Sequence, residues 1–165
     1  MRWIWIDRFL EFHSGKRAVA VKCISMAEEH LHDHMPGFPV MPASLIIEAM
    51  AQTAGILVGE AGKFQQKVIL AKIRRAIFYD LARPGECIEL EAILESYSPE
   101  AASTSGTVRR AGQVIANIDL LFSHLDQNLS GIPFPRENFV FEKGPIQTLM
   151  TTIVCSDQIG LAENG

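Results

Sequence analysis

From Met35 to Gly59 the chain carries one charged residue among twenty-five, Glu48. The stretch PVMPASLIIEAMAQTAGILVG within it predicts a helix that is apolar on every face, as suits an element at the centre of a fold. Ser44 is a natural N-cap for that helix, and Gly59 or Gly62 a natural end. Upstream, Lys16 to Met26 (KRAVAVKCISM) follows a Ser14-Gly15 turn with small and β-branched residues in partial alternation, which predicts a strand. Residues 27–43 read as a loop rich in histidine and proline.

Four strand-like segments follow the helix: Lys67 to Phe78, Glu86 to Tyr97, Ala101 to Arg110 and Gln113 to Phe122. Pro84-Gly85, Ser98-Pro99 and Ala111-Gly112 separate them, and the last reads as a tight hairpin. One long buried helix followed by an antiparallel meander predicts an α+β fold with the sheet wrapped around the helix. After Asp126 the composition changes. Gly131, Pro133 and Pro135 suggest a connector, and Ile146, Leu149, Met150, Ile153 and Val154 fall on one helical face after Pro145. The expected organisation is one domain over residues 1–125 and an appendage over 126–165 that is not a second domain.

Composition narrows the class. A chain of 165 residues fits a single domain, and 48% apolar with 21% charged residues is ordinary for a globular protein. A net charge of −4 gives no footprint for nucleic acid. The three prolines Pro36, Pro39 and Pro42 leave about sixteen residues from Ser44 to Gly59, short of the roughly 20 that a bilayer needs. The N-terminal MRWIWIDRFLEF is interrupted by Asp7, Arg8 and Glu11 and does not read as a signal peptide. A cytoplasmic protein without membrane insertion is expected. Cys23, Cys87 and Cys155 are odd in number and scattered, which predicts reduced thiols.

The candidate chemistry lies where loop meets helix. Pro36, Pro39 and Pro42 stiffen the segment after His34, fixing their own φ and restricting the residue before each. A histidine held on such a loop is pre-positioned to act as a base. The N–H groups of Ala43 and Ser44 stand at the helix start, where unpaired donors and the helix dipole favour a carbonyl oxygen gaining negative charge. Glu48 lies one turn further on. A carboxylate inside an apolar helix is costly unless it is partnered, so a role as proton donor or hydrogen-bond partner is expected. Gln52 shares its face. One base, one carboxyl and one oxyanion site suit removal of a proton α to a carbonyl and departure of a β-hydroxyl as water.

The sequence HMPGFPVMPASLIIEAMAQ, from His34 to Gln52, resembles the signature of the hotdog-fold 3-hydroxyacyl-[acyl-carrier-protein] dehydratases of the FabZ type. Ile6-Asp7-Arg8, Arg74 to Phe78 and Pro84-Gly85-Glu86 extend the similarity over about residues 3–125. The resemblance implies a hotdog fold, no metal and no organic cofactor. It implies a homodimer, or a trimer of dimers, in which each site combines His34 of one subunit with Glu48 of the other. His34 would take the α proton of a (3R)-hydroxyacyl thioester on acyl carrier protein, and Glu48 would orient or protonate the β-hydroxyl. The Ala43 N–H would hold the thioester oxygen, with Gly37, Pro39, Pro42, Ser44 and Gln52 supporting the site. Lys72, Arg74 and Arg75 would offer a docking face to the acidic carrier, by complementary charge.

Three features depart from that pattern: Asp33 in place of the usual glycine, Ala43 likewise, and the long segment after residue 125. Rival readings are a hotdog acyl thioesterase, which needs no paired histidine, and a non-catalytic protein that binds acyl chains or acyl carrier protein. His30, His32, Asp33 and His34 also invite a metal reading, set against surface histidines on a loop.

Overall fold

The computed structural model describes residues 3–125, 128–129 and 132–133. Its strands are β1 (Arg8–His13), β2 (Arg17–Cys23), β3 (Lys67–Phe78), β4 (Cys87–Tyr97), β5 (Ala101–Arg110) and β6 (Gln113–Leu125). They form one antiparallel sheet in the order β1-β2-β4-β5-β6-β3. Two helices lie between β2 and β3: the single turn α1 (His30–Asp33) and the long α2 (Ala43–Ala61). The two-residue strands β7 (Asn128–Leu129) and β8 (Ile132–Pro133) pair separately. The sheet curls around α2, which contacts β2, β3, β4, β5 and β6. This is the hotdog fold.

Alternation along the strands places the core. On β5, Ala102, Thr104, Gly106 and Val108 turn toward α2 and are buried, while Ser103, Ser105 and Thr107 are half-buried on the outer face. On α2 every residue from Ala49 to Gly59 is buried, with Met50, Ile56 and Leu57 fully so. The helix approaches β5 so closely that a Cβ on Gly106 would lie 2.6 Å from Met50 Sδ and 2.7 Å from Ile118 O. Glycine is therefore required there by space rather than by φ. The helix is long and apolar enough to span a membrane by composition, but 67% of its apolar window is buried inside the fold.

Several elements depart from the sequence reading. The N-cap lies two residues earlier than expected, at Pro42 rather than Ser44, and no side chain caps the helix. The stiff Pro42 already sets the entry, and its carbonyl accepts from Leu45 N–H at 2.9 Å and Ile46 N–H at 3.2 Å. The helix ends at Ala61 with Gly62 as C-cap, as expected. The N-terminal apolar stretch supplies an unforeseen strand, β1, whose Phe9 is fully buried. Only β4, β5 and β6 form a meander. β3 crosses to the far side of β6 and becomes the edge of the sheet. The tight hairpin is present at Ala111-Gly112, both with positive φ (48° and 80°), the handedness that a two-residue loop between twisted strands requires.

The cysteines are also corrected. Cys23 and Cys87 lie directly opposite in the β2–β4 register, with Cα atoms 4.0 Å apart, and form a disulfide. Spacing along the sequence did not foretell this, because strand register rather than chain proximity brings the two together. Cys155, the connector and the helix expected near 146–154 lie outside the described residues.

Candidate active site

His34 follows α1 directly and opens a short turn. Phe38 N–H donates to Met35 O at 2.9 Å across Pro36-Gly37, and Gly37 has φ +73°. Proline then glycine is what a type II turn needs at its two central positions. Pro39 leads out of the turn, and Val40 N–H donates back to His34 O at 3.0 Å. Val40 O in turn lies 3.0 Å from His34 Nδ1. A backbone carbonyl can only accept, so Nδ1 carries the proton there, and in the neutral ring the lone pair lies on Nε2. The imidazole is exposed, with Nε2 unengaged among the described residues.

Met41 N–H donates to Ala82 O at 2.8 Å, fixing the chain just before Pro42. The N–H groups of Ala43 and Ser44 begin α2 and make no hydrogen bond among the described residues, and both residues are exposed. They present two donors at the positive end of the helix. Ala43, Ser44, Ile47 and Glu48 form a stripe near the start of α2 that is not buried. Glu48 is half-buried rather than sealed in the interior, whereas Ile46 and every residue from Ala49 to Gly59 are buried.

Gln52 fixes Glu48. Its side-chain N–H₂ donates to Glu48 Oε1 and to Trp3 O, both at 2.8 Å, and its oxygen accepts from Trp5 N–H at 2.8 Å. Gln52 is only 4% exposed; its bond from Trp5 N–H is buried, and those to Trp3 O and Glu48 are half-buried. The strap formed by residues 3–5 was missed from sequence. The apolar run Trp3-Ile4-Trp5-Ile6 was the available signal; Trp5 and Ile6 are buried while Trp3 and Ile4 remain outside. A cavity of about 530 Å³ lies beside the strap, lined by Trp3, Trp5, Lys22, Glu28, His30 and Leu45 among others.

Within one subunit no hydrogen bond or ion pair joins His34 to Glu48 among the described residues. Lys72, Arg74 and Arg75 on β3 are exposed, but Arg75 Nε pairs with Asp119 Oδ2 at 2.9 Å. Lys72 and Arg74 keep their charge uncompensated by any described ion pair. Arg109 bonds to Glu91, and Arg110 to Asp80. The four residues from His30 to His34 that suggested metal do not converge: His32 Nε2 lies 3.2 Å from Met26 O, while His30 packs edge-on against Trp5 with centroids 5.3 Å apart. His30 is thus half-buried, not a surface residue. Among the described residues no group of three or more metal-ligating side chains converges.

Away from this site, Arg17 and then Arg109 hold the Glu91 carboxyl below the usual carboxylate range, and Glu91 raises Arg17. Asp80 is likewise lowered, chiefly by the Leu81 N–H and then by Arg110.

An antiparallel sheet curled around a central helix defines the class of hotdog proteins. The FabA-like domain model matches residues 3–119, and the chain belongs to that family. It is 33% identical over 121 residues to the 3-hydroxyacyl-[acyl-carrier-protein] dehydratase FabZ of Caldanaerobacter subterraneus subsp. tengcongensis, covering 73% of this chain and 86% of that protein. It is 35% identical over 128 residues to the dehydratase of the same name from Chloroflexus aggregans, covering 75% and 87%. Among solved structures, the dehydratase heterocomplex ApeI:P from Xenorhabdus doucetiae superposes with a TM-score of 0.61 at 15% identity, covering 75% of this chain and 84% of that one. The putative thioesterase yhdA from Lactococcus lactis superposes with a TM-score of 0.57 at 12% identity, covering 67% and 79%. These two likenesses concern the fold alone.

Proposed function

We propose that this hydro-lyase converts (3R)-hydroxyacyl chains on acyl carrier protein to trans-2-enoyl chains in fatty-acid or related lipid synthesis. The observation that carries the reading is the His34 Nδ1–Val40 O bond, which leaves Nε2 as the base. Nε2 removes a proton from the carbon α to the thioester. The Ala43 N–H holds the thioester oxygen as charge builds on it. The β carbon–oxygen bond then breaks, and the departing hydroxyl takes a proton from the carboxyl of Glu48 and leaves as water. Gln52 keeps that carboxyl pointed at the site.

The Glu48 in question belongs to the second subunit of a homodimer. Two features support this: among the described residues no bond joins His34 and Glu48 within one chain, and β3 is a sheet edge with no further strand on it, carrying exposed Leu70, Ile73 and Ile77 (37%, 44% and 40%). An edge of that kind is otherwise a liability that a second copy removes by pairing. Lys72 and Arg74 are the candidate docking cations for the acidic carrier, with Arg75 partly neutralised by Asp119. The reaction needs no metal or organic cofactor, and it takes place in the cytoplasm.

The test is turnover of a short-chain 3-hydroxyacyl thioester on acyl carrier protein, followed by mass. The expected result is loss of one water with the thioester intact, and a drop of about 10²-fold or more in both His34→Ala and Glu48→Gln. Appearance of the free carrier thiol would instead make the protein a thioesterase. Binding of the carrier without turnover would make it a non-catalytic acyl-binding protein.

A further inference from the structure

The segment Ala82 to Cys87 grips the histidine loop at both of its ends. Where the loop returns to α2, Met41 N–H donates to Ala82 O at 2.8 Å. Midway, the Arg83 guanidinium sits 4.4 Å from the Phe38 ring centroid, one residue past Gly37. Where the loop leaves β2, Ile24 N–H donates to Glu86 O and Gly85 N–H donates to Ile24 O, each at 2.9 Å. Beside that pair stands the Cys23–Cys87 disulfide. Hydrogen bonds and ring contacts open and close in the native state. The disulfide is the covalent member of the set.

Its position is unlike that of a structural staple. Both cysteines lie on the outer face of the sheet, both are exposed, and neither belongs to the buried core under α2. An accessible disulfide is open to attack by a thiolate, and in a reducing compartment such bonds are transient or sensing rather than permanent. We propose that Cys23 and Cys87 are a site of reversible exchange with soluble low-molecular-weight thiols, and that their redox state sets how firmly the 82–87 segment holds the His34 loop.

In the forward exchange a thiolate attacks one of the two sulfurs, forming a mixed disulfide and breaking the protein S–S bond. The other cysteine leaves as a thiolate and takes a proton from water. A second thiolate attacks the mixed disulfide, releasing an oxidised thiol dimer and the second cysteine, which is also protonated. Two electrons pass from the two external thiols to the protein. Reoxidation by the external disulfide runs the same steps backward. With the bond closed, the β2 end of the loop is tied covalently to the 82–87 segment. With it open, only the hydrogen bonds and the Arg83–Phe38 contact remain. The consequence for catalysis rests on the dehydratase reading, whereas the exchange and the loosening do not.

The experiment uses the full chain with Cys155→Ser, equilibrated without denaturant in oxidised or reduced glutathione and then alkylated and weighed. In oxidised glutathione Cys23 and Cys87 should both be protected from alkylation; in reduced glutathione both should be labelled. Amide hydrogen exchange is then compared between the two forms. Exchange over residues 24–41 and 82–87 should be faster by about tenfold or more in the reduced form, with β5 and β6 unchanged. A Cys23→Ser, Cys87→Ser variant should match the reduced pattern. The proposal is overturned if both cysteines are labelled in oxidised glutathione, or if the bond yields only on unfolding. It is also overturned if reduction leaves exchange in the loop unchanged, or raises it uniformly over the whole sheet. Because none of these readouts involves turnover, failure of the dehydratase reading would appear separately.

Discussion

Replacing Gln52 by methionine keeps the length of the side chain and removes every polar atom. Three bonds are lost: two to the backbone of the strap, at Trp3 O and Trp5 N, and one to the Glu48 carboxyl. A neutral bond contributes about 1 kcal/mol net, and a buried polar group left without its partner costs about 1–3 kcal/mol. Water can reach the exposed Trp3 carbonyl but not the enclosed Trp5 amide, so part of the loss is recovered. An expected cost of about 2–4 kcal/mol follows, large against a typical stability of about 5–15 kcal/mol. Urea unfolding gives this value directly. The only two tryptophans of the chain, Trp3 and Trp5, both sit in the strap, so their fluorescence reports whether it has come loose. The expected result is a lower unfolding midpoint with tryptophan emission shifted to the red. In turnover, kcat should fall about tenfold with KM little changed, since Glu48 is still present but free to rotate. A loss below about 0.5 kcal/mol with unshifted emission would refute the view that Gln52 joins the strap to the carboxyl.

Other perturbations probe separate parts of the account. Gly106→Ala drives a methyl group against Met50 and the Ile118 carbonyl, and should lower stability by about 1–3 kcal/mol in urea unfolding. Acid should weaken the Arg17–Glu91–Arg109 cluster. Because folding lowers the Glu91 pKa, its contribution is full above the unfolded value of 4.5 and is lost as pH falls through the folded value. Thermal unfolding of wild type and Glu91→Gln should therefore differ most near neutral pH and converge toward pH 3, whereas a constant difference would contradict the ion-pair origin. Ile73→Lys places a charge on the β3 edge, and sedimentation should show a shift from dimer toward monomer, with activity lost in proportion.

The long apolar helix, the signature from His34 to Gln52 and most strand positions were legible in the sequence because each depends on local pattern. The end of α2 at Gly62 and the Ala111-Gly112 hairpin were legible for the same reason. What escaped depends on which strands meet. β3 follows α2 and precedes β4 in the chain, yet hydrogen-bonds to β6; strands adjacent in sequence usually pair, and here two of them do not. The disulfide escaped because Cys23 and Cys87 are 64 residues apart and meet only through the β2–β4 register. Gln52 was placed on the face of Glu48 from helical spacing alone, but its grip on Trp3 and Trp5 spans almost fifty residues and could not be read from spacing. Glu48 itself was expected to be buried because the whole helix reads as apolar. Composition does not disclose that a stripe near the start of the helix stays unburied, and that stripe is the surface the proposed dimer needs.

The central claim, that each site takes His34 from one subunit and Glu48 from the other, is tested most directly by co-expressing His34→Ala with Glu48→Gln and assaying loss of water from the carrier-bound substrate. Random pairing makes half of the dimers mixed, and each mixed dimer holds one intact site of two, so activity should return to about one quarter of wild type. Each variant alone should stay near background. A mixture no more active than the separate variants would contradict the shared site and return both residues to a single subunit.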